Sequence, residues 1–255
     1  VLVRFGQSYG DAEAAFAAAP HVFRERFVQH RGAAHPIEGR GAVARYDALD
    51  GAITLWSSTQ MSHEVRSAMV RLFGMDEGRL RVVAPDVGGG FGSKYIAYSE
   101  EIAVALAAKL LDRPVKWTED RREHFTSAIQ EREQDWTMEI ATDGDGRVLA
   151  IRGSMLSDQG AYTPQGINMA YNASTGVPGP YIVPNYDIDV HVVETNAVAA
   201  APVRGAGYPE GNYTMERLLD RAAQGLGIDR AEIRDRNLIP VESMPYETPL
   251  KTRAG

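Results

Sequence analysis

A run of glycines around one phenylalanine is the first feature with a chemical meaning. The segment VVAPDVGGGFGSKYIAYSEEIAVALAAKL, residues 82–110, places Gly88, Gly89, Gly90 and Gly92 around Phe91. Glycine accepts a positive φ and leaves backbone N–H groups uncovered, so a ligand oxygen can approach the main chain closely. A tight turn between a strand and a helix would use the same residues. The spacing alone leaves both interpretations open.

The loop departs from the two common nucleotide-binding patterns. A P-loop requires Gly-Lys-Ser/Thr, but Lys94 follows Ser93 and precedes Tyr95. A dinucleotide-binding pattern counted from Gly88 requires glycine at position 93, where the chain has serine. An ordinary phosphate-binding α/β protein remains an alternative interpretation of the loop. It predicts that a nucleotide would protect the protein against thermal unfolding.

Three other positions carry polar side chains beside turns. In APVRGAGYPEGNYTMERLLD, residues 201–220, Arg204 is next to glycines just before a helical pattern, which predicts a second close backbone approach with a cation on it. In SSTQMSHEVR, residues 57–66, Gln60 stands between a strand pattern and a helix pattern. Glu38 lies close to Arg40 in HPIEGRG, and this spacing predicts an ordinary ion pair between the two.

The elements that must position these residues mix strands and helices, so the expected fold class is α+β. Alternating apolar and polar residues predict strands at 21–30, 52–58 and 187–196. Helical spacing with caps and stops predicts helices at 62–74, with Ser62 as cap, at 99–114, with Ser99 as cap, at 209–227 and at 229–238. Asp-Gly turn chemistry predicts a hairpin at 132–156. Residues 157–186, rich in Gly, Pro and Asn and without periodicity, are expected to form a linker or an ordered functional loop.

Composition narrows the class of protein and of partner. The chain has 255 residues, 44% of them hydrophobic, enough for one large domain or two small ones. A formal charge of −7 removes the electrostatic reason to expect nucleic acid or an anionic membrane as partner. The absence of cysteine excludes disulfides and thiolate-bound iron–sulfur clusters in this chain. No apolar run reaches the ~20 residues of a membrane span, and a cytoplasmic location is expected.

Seven segments, taken together and in this order, resemble one enzyme family. They are QHRGAAHPIEGRGAVARYD, STQMSH, RVVAPDVGGGFGSK, RPVKWTEDRREHF, SDQGAYTP, TNAVAAAPVRGAGYPEGNYTMERLLD and IRDRNLI. The resemblance is to the molybdenum hydroxylases of the xanthine dehydrogenase and aldehyde oxidase family, specifically to their large, molybdopterin-binding subunit. It is nearest to the bacterial branch that looks like carbon monoxide dehydrogenase large subunits.

The resemblance implies a role for each loop. Residues 1–255 would be the first part of the molybdopterin-binding region, either undivided or in two subdomains with a boundary near 150–190. Gln60, Phe91 and Arg204 would be catalytic, with the Gln60 amide bonded to an oxo ligand of molybdenum. The metal itself would be held by the dithiolene of the cofactor and by no protein side chain, and Glu210 matches a polar position near the cofactor. The positions that carry over as cofactor-binding are Gln60, Gly89, Gly90, Phe91, Gly92, Arg204, Gly205, Ala206 and Gly207.

Three departures from the family pattern bear on the substrate. Gly205 stands where true carbon monoxide dehydrogenases carry the cysteine that holds copper, so copper-dependent oxidation of carbon monoxide is not expected. Tyr95 and Ala206, the expected substrate-pocket residues, stand where xanthine-oxidising members carry a glutamate and an aromatic clamp. The resemblance therefore implies hydroxylation of aldehydes or of N-heterocycles other than purines, with oxygen derived from water.

The same resemblance implies cofactors and partners. The expected cofactor is molybdenum–molybdopterin, in its cytosine dinucleotide form, with FAD and [2Fe-2S] clusters on partner subunits. The family's catalytic glutamate has no counterpart in these 255 residues, so the chain is expected to be a fragment that needs the remaining part of the large subunit and is inactive alone. The alternative is a non-catalytic cofactor-binding module or an inactive relic.

Overall fold

A computed structural model describes residues 1–250 of the chain. The strands are β1 Val3–Tyr9, β2 His21–Gln29, β3 Gly41–Asp47, β4 Ala52–Ser57, β5 Leu80–Val83, β6 Val115–Thr118, β7 Gln134–Thr142, β8 Val148–Asp158 and β9 Tyr186–Val193. The helices are α1 Ala12–Ala18, α2 Ser62–Phe73, α3 Ser99–Leu111, α4 Arg121–Ser127, α5 Gly166–Gly176, α6 Tyr208–Leu226 and α7 Arg230–Asp235. This mixture confirms the α+β class.

The chain folds into two compact units. Within the described residues, unit 1 comprises Val1–Gly32, Arg132–Ala200 and 205–250, and unit 2 comprises Ala33–Glu131 with Ala201–Arg204. The division therefore differs from a single boundary near 150–190, because that stretch lies inside unit 1. The physical reason is that β8 and β9 pair in parallel. Parallel neighbours need a long crossover between them, so residues 159–185 connect two strands of one sheet.

Unit 1 is a five-stranded sheet with helices on both faces. The strand order is β1-β9-β8-β7-β2. Along β7 the residues at every second position are buried, and fully buried Trp136 and Met138 pack with Leu218 and Leu219 of α6 in one core. Helix α1 packs against β8 in a separate small cluster around Phe16. The sheet thus serves as a floor for α5 and α6, which contact each other.

Unit 2 is a four-stranded sheet with two principal helices. The strand order is β5-β4-β3-β6, with β4 and β5 parallel and the other pairs antiparallel. Its core joins Ile53 and Leu55 of β4 to Met69 of α2 and Ala105 of α3. The connection from β5 to α3 carries the glycine-rich loop, at residues 84–98.

Local sequence signals located most elements correctly. The hairpin appears as β7 and β8, which pair antiparallel from Gln134 with Ser157, and α2 ends at Gly74 in the left-handed conformation. The cap assignments were wrong by one residue, because α2 and α3 begin at Ser62 and Ser99 after Met61 and Tyr98.

The expectation that 157–186 holds only a loop or linker was also wrong, since it contains α5. This helix carries no acidic residue in its first turn and no basic residue in its last. Its start and stop signals are therefore weak, and it is stabilised by packing of Met169, Ala170 and Ala173. None of the helices within residues 1–250 has the length and apolarity to cross a bilayer.

Candidate functional site

Glycine is required in the loop of unit 2 for two different structural reasons. Gly89 and Gly92 adopt φ of 92° and 106°, a region that side chains disfavour. Gly88 and Gly90, which could also accept a positive φ, do not adopt one. A Cβ atom at Gly88 would lie 2.6 Å from Oε2 of Glu38, and one at Gly90 would clash with the Gln60 side chain. Two glycines therefore set the turn, and two admit side chains from elsewhere in the unit.

Gln60 is fastened to this loop through its oxygen. Its Oε1 accepts hydrogen bonds from the backbone N–H of Gly92 at 3.0 Å and of Lys94 at 3.3 Å. Its own backbone N–H donates to the Lys94 carbonyl at 2.9 Å. Because two donors fix the oxygen toward the loop, the amide NH₂ points away from it, and within residues 1–250 it meets no protein acceptor. The residue thus presents a free donor from a fixed position.

Arg204 is joined to the loop through the main chain. Its backbone N–H donates to the Phe91 carbonyl at 2.9 Å. A Cβ at Gly92 would clash with the Pro202 carbonyl and lie 2.7 Å from Cα of Val203, so the two backbones touch. The Arg204 side chain is exposed and has no ion pair or hydrogen bond to the described residues. A free guanidinium therefore stands next to the glycine-rich turn.

Phe91 is placed at a cost in stability. Its backbone has φ of 51°, which costs a non-glycine residue about 1–2 kcal/mol, and its side chain is 52% exposed. Neither feature improves folding. Backbone strain at an exposed aromatic residue in a loop is typical of a functional position.

Two charged residues outside the site predicted from sequence hold the loop. Lys94 is buried, and its Nζ donates to Oε1 of Glu38 at 2.6 Å, while Oε2 of Glu38 accepts the Gly88 N–H at 2.7 Å. These bonds hold the pKa of Glu38 below its ordinary value, chiefly through the hydrogen bond from Lys94. No local pattern marks this pair, because its members are 56 residues apart.

The expected ion pair between Glu38 and Arg40 is therefore wrong. Arg40 is buried, stacks over the Tyr98 ring and donates from Nε to Glu119 at 2.8 Å. Glu119 also accepts from the Arg40 backbone N–H at 2.7 Å and lies 3.0 Å from Nδ1 of His124. The buried carboxylate at 119 outcompetes the partly exposed one at 38, because a charge pair is stronger away from water.

In unit 1, residues 205–207 form a second strained turn ahead of α6. Gly205, Ala206 and Gly207 have φ of 102°, 49° and 98°. The Ala206 carbonyl accepts a hydrogen bond from Nδ2 of Asn172 at 2.9 Å, and a Cβ at Gly207 would clash with the Met169 carbonyl. The turn therefore lies directly on α5, and sequence reasoning missed Asn172 because α5 itself was missed.

Glu210, in the first turn of α6, is fully buried. Among the described residues its two carboxylate oxygens receive no hydrogen bond, and Nε of Arg132 lies 3.6 Å from Oε1. Burial raises the pKa of this carboxyl. Tyr95, expected in the substrate pocket, is half-buried in unit 2, with its N–H bonded to the Gly92 carbonyl at 3.0 Å.

Comparison with known proteins now decides the family. A family model described as "Molybdopterin cofactor-binding domain" matches residues 2–238. The chain belongs to this family. The nicotine 6-hydroxylase large subunit of Paenarthrobacter nicotinovorans is 37% identical over 98% of this chain, and the carbon monoxide dehydrogenase large chain of Afipia carboxidovorans is 34% identical over 96%. The solved structure of quinoline 2-oxidoreductase from Pseudomonas putida 86 superposes with a TM-score of 0.91 at 36% identity over 98% of this chain.

These findings confirm the resemblance to the large subunits of molybdenum hydroxylases. The relatives are named as dehydrogenases and hydroxylases, and as large subunits or chains. This chain spans only about a third of them: 31% of each of the two relatives and 32% of the quinoline enzyme's chain.

The residues of unit 2 fit the family's cofactor. The outward amide of Gln60 can donate to an oxygen ligand, and the exposed ring of Phe91 offers an apolar face to a flat ring system. Within the described chain, no three His, Cys, Asp or Glu residues come together in a metal-binding group. The donor set is one of hydrogen bonds, which suits a metal already held by its cofactor.

Proposed function

We propose that this chain is part of the molybdenum-cofactor-binding, catalytic subunit of an oxidoreductase. The enzyme hydroxylates aldehydes or N-heterocycles with oxygen from water, releasing two electrons and two protons for each oxygen inserted. The observation that carries the proposal is the Gln60 amide, whose oxygen is held by two backbone donors of the glycine-rich loop while its NH₂ faces away from them.

Each residue of unit 2 then has a role derived from its chemistry. Gln60 donates a hydrogen bond to an oxygen ligand on the cofactor and fixes its orientation. Phe91 forms an apolar wall that excludes water from the reacting carbon. Arg204, a permanent cation, stabilises negative charge that develops on an oxygen of the substrate or cofactor. When bound, the molybdenum cofactor supplies the two-electron oxidation.

The glycines supply surface where a side chain would not fit. The turn that contains Gly89, Gly90 and Gly92 contributes main chain to the cofactor-binding surface, as does the turn of Gly205, Ala206 and Gly207 in unit 1. Tyr95 and Ala206 shape the substrate pocket. Neither is a carboxylate or an aromatic clamp for a purine, and Gly205 carries no thiolate for copper. Aldehydes and smaller or differently shaped N-heterocycles are the substrates that this set of residues favours.

Our proposal includes the form of the cofactor and the partners. We propose the cytosine dinucleotide form of molybdopterin, the remaining part of the large subunit, and partner subunits that carry FAD and [2Fe-2S] clusters. The absence of cysteine supports a place for the clusters outside these 255 residues, since a chain without thiolates cannot hold such a cluster by itself. A cytoplasmic location is part of the same proposal.

The test is an activity screen of the complete native protein that carries this sequence, purified with its co-purifying subunits. Molybdenum is measured by elemental analysis, and dye reduction is followed with aliphatic and aromatic aldehydes, pyridine-type heterocycles, xanthine and carbon monoxide. Protein from tungstate-grown cells is the control. We expect molybdenum-dependent turnover of an aldehyde or heterocycle. Stoichiometric cofactor without turnover of any of these would favour a non-catalytic module, and xanthine or carbon monoxide as best substrate would contradict the assignment of Tyr95, Ala206 and Gly205.

A further inference from the structure

One carboxylate closes the glycine-rich loop at both ends. Oε2 of Glu38 accepts the N–H of Gly88, the first glycine, at 2.7 Å. Oε1 of the same side chain accepts from Nζ of Lys94, which follows the last glycine, at 2.6 Å. A carboxylate can serve both donors at once because each oxygen has its own lone pairs. Glu38 therefore fixes the distance between the two ends of the loop.

Lys94 links this carboxylate to Gln60. Its side chain runs inward to Glu38, while its backbone N–H and carbonyl both bond Gln60, at 3.3 Å to Oε1 and 2.9 Å to the backbone N–H. A shift of the Lys94 backbone would therefore break the bonds that orient the Gln60 amide. The position of the free NH₂ depends on where Lys94 is held.

Burying the ammonium group of Lys94 to hold a loop carries a desolvation cost. The residue is 1% exposed, and a buried ammonium is stable only beside a compensating charge. A well-packed apolar side chain of similar volume would often serve stability equally well. The charge is thus better explained by what it positions than by the stability that it adds.

We infer that Glu38 and Lys94 are positioning residues, a charged clamp that holds the glycine-rich loop in the conformation that presents the Gln60 amide. The clamp needs glycine at position 88, since a Cβ there would lie 2.8 Å from Cβ of Glu38. Without the clamp, the Gly92 and Lys94 N–H groups leave Oε1 of Gln60 part of the time, and the amide turns. The consequence for cofactor retention rests on the proposed function.

The deciding variant is Lys94→Met, which removes the charge and keeps an unbranched buried side chain. Hydrogen–deuterium exchange of peptides covering 86–96 is measured in the complete native protein, together with its unfolding midpoint. We expect exchange in this segment to rise about tenfold or more, since a charge-assisted hydrogen bond is lost. We expect the midpoint to change little. Arg66→Met is the matched control, because it removes another cation of unit 2 that pairs with a carboxylate, Glu77, away from the loop.

A second variant keeps the test decisive if Lys94→Met folds poorly. Glu38→Gln preserves shape and leaves one oxygen to accept from either Gly88 or Lys94, so loop exchange should rise again, and Glu38→Asp should restore part of the protection. Unchanged exchange over 86–96 in both variants overturns the clamp. So does a rise that is equal throughout unit 2, since that would report general loosening.

Molybdenum retention separates this inference from the proposed function. Wild-type and Lys94→Met proteins are compared by elemental analysis after gel filtration, and we expect the variant to retain several-fold less metal. Faster loop exchange with undiminished molybdenum overturns the part of the inference that concerns the cofactor. Faster loop exchange in a protein whose wild type holds no molybdenum supports the clamp and contradicts the proposed function instead.

Discussion

The turns at 88–92 and 205–207 look alike in sequence, yet they are held by different means. The first is held by side chains from distant positions, with Gln60 and Glu38 bonded 32 and 50 residues away. The second rests on the main chain of α5, with Asn172 bonding the Ala206 carbonyl. Glycine is needed in both turns. In the first it lets the Gln60 and Glu38 side chains approach the backbone, and in the second it lets the turn contact α5. A shared glycine pattern therefore does not imply a shared mechanism of support.

The acidic residues beside the two turns also differ, in the direction of their pKa shifts. Glu38 has a lowered pKa because Lys94 hydrogen-bonds it, whereas Glu210 has a raised pKa because it is buried. The first turn is held by a carboxylate whose charge Lys94 stabilises. The second turn lies next to a carboxyl group whose charged form is disfavoured by burial. The following experiments test this difference, beginning with the largest effect.

Gly92→Ala should be the most damaging single change. It forces φ of 106° on a residue with a Cβ, and that Cβ would clash with the Pro202 carbonyl. Backbone strain of about 1–2 kcal/mol and overpacking of about 1–3 kcal/mol together predict a loss of about 3 kcal/mol in the free energy of unfolding. Gly74→Ala is the control in urea titrations, since φ is 60° there and no atom lies within 4 Å of the added Cβ. Equal losses at both positions would show that contact with residues 201–204 is unimportant.

Gln60 should matter for rate more than for folding. In the complete enzyme, we expect Gln60→Leu and Gln60→Glu each to lower kcat on the order of 100-fold, as for loss of one preorganised hydrogen bond. Gln60→Glu keeps an oxygen facing Gly92 and Lys94 but loses the outward donor, so it alone should preserve slow exchange over 86–96. A full rate at full molybdenum occupancy in Gln60→Glu would contradict the role of the NH₂ group.

Asn172→Ala should destabilise the second turn by about 1 kcal/mol, the usual net value of one hydrogen bond. The bond lost is the one to the Ala206 carbonyl. Asn168→Ala is the control, because Asn168 is an exposed asparagine on the same helix. Unfolding in urea measures both, and an equal effect would mean that the loss reflects helix propensity and not the turn.

The smallest effects should appear as pH profiles of opposite slope. Glu38 ionises below its ordinary pKa of 4.5, so its stabilisation is present above that pH and is lost as pH falls through the folded-state pKa. Glu210 ionises above 4.5, so the stabilisation of its protonated form is present below that pH and is lost as pH rises through the folded-state pKa.

The stabilities of Glu38→Gln and Glu210→Gln relative to wild type therefore diverge. The deficit of Glu38→Gln should shrink when the pH is lowered from about 7 to about 3. The free energy of unfolding of the wild type should fall relative to that of Glu210→Gln as the pH rises from about 4 to about 8. Free energies of unfolding at several pH values measure both, and slopes of the same sign would show that the two acids share one environment.

Local chemistry explains which parts of the fold could be predicted. Helix α6 begins with Pro209 in its first turn and ends at Gly227, and the β7–β8 hairpin turns at Asp-Gly pairs, so each end is marked in the sequence. Helix α5 lacks such marks and was missed. Its existence depends on contacts with α6 and β9, which no short window of sequence contains.

The sequence by itself determined the family and the α+β class, because glycine tolerance, turn chemistry and the order of motifs are local or linear properties. The tertiary structure alone decided which charges pair. Glu38 lies beside Arg40 in sequence but bonds Lys94, while Arg40 bonds Glu119. The physical reason is that the strength of a charge pair depends on burial and on the geometry of donors, and both arise only when residues far apart in the chain are packed together.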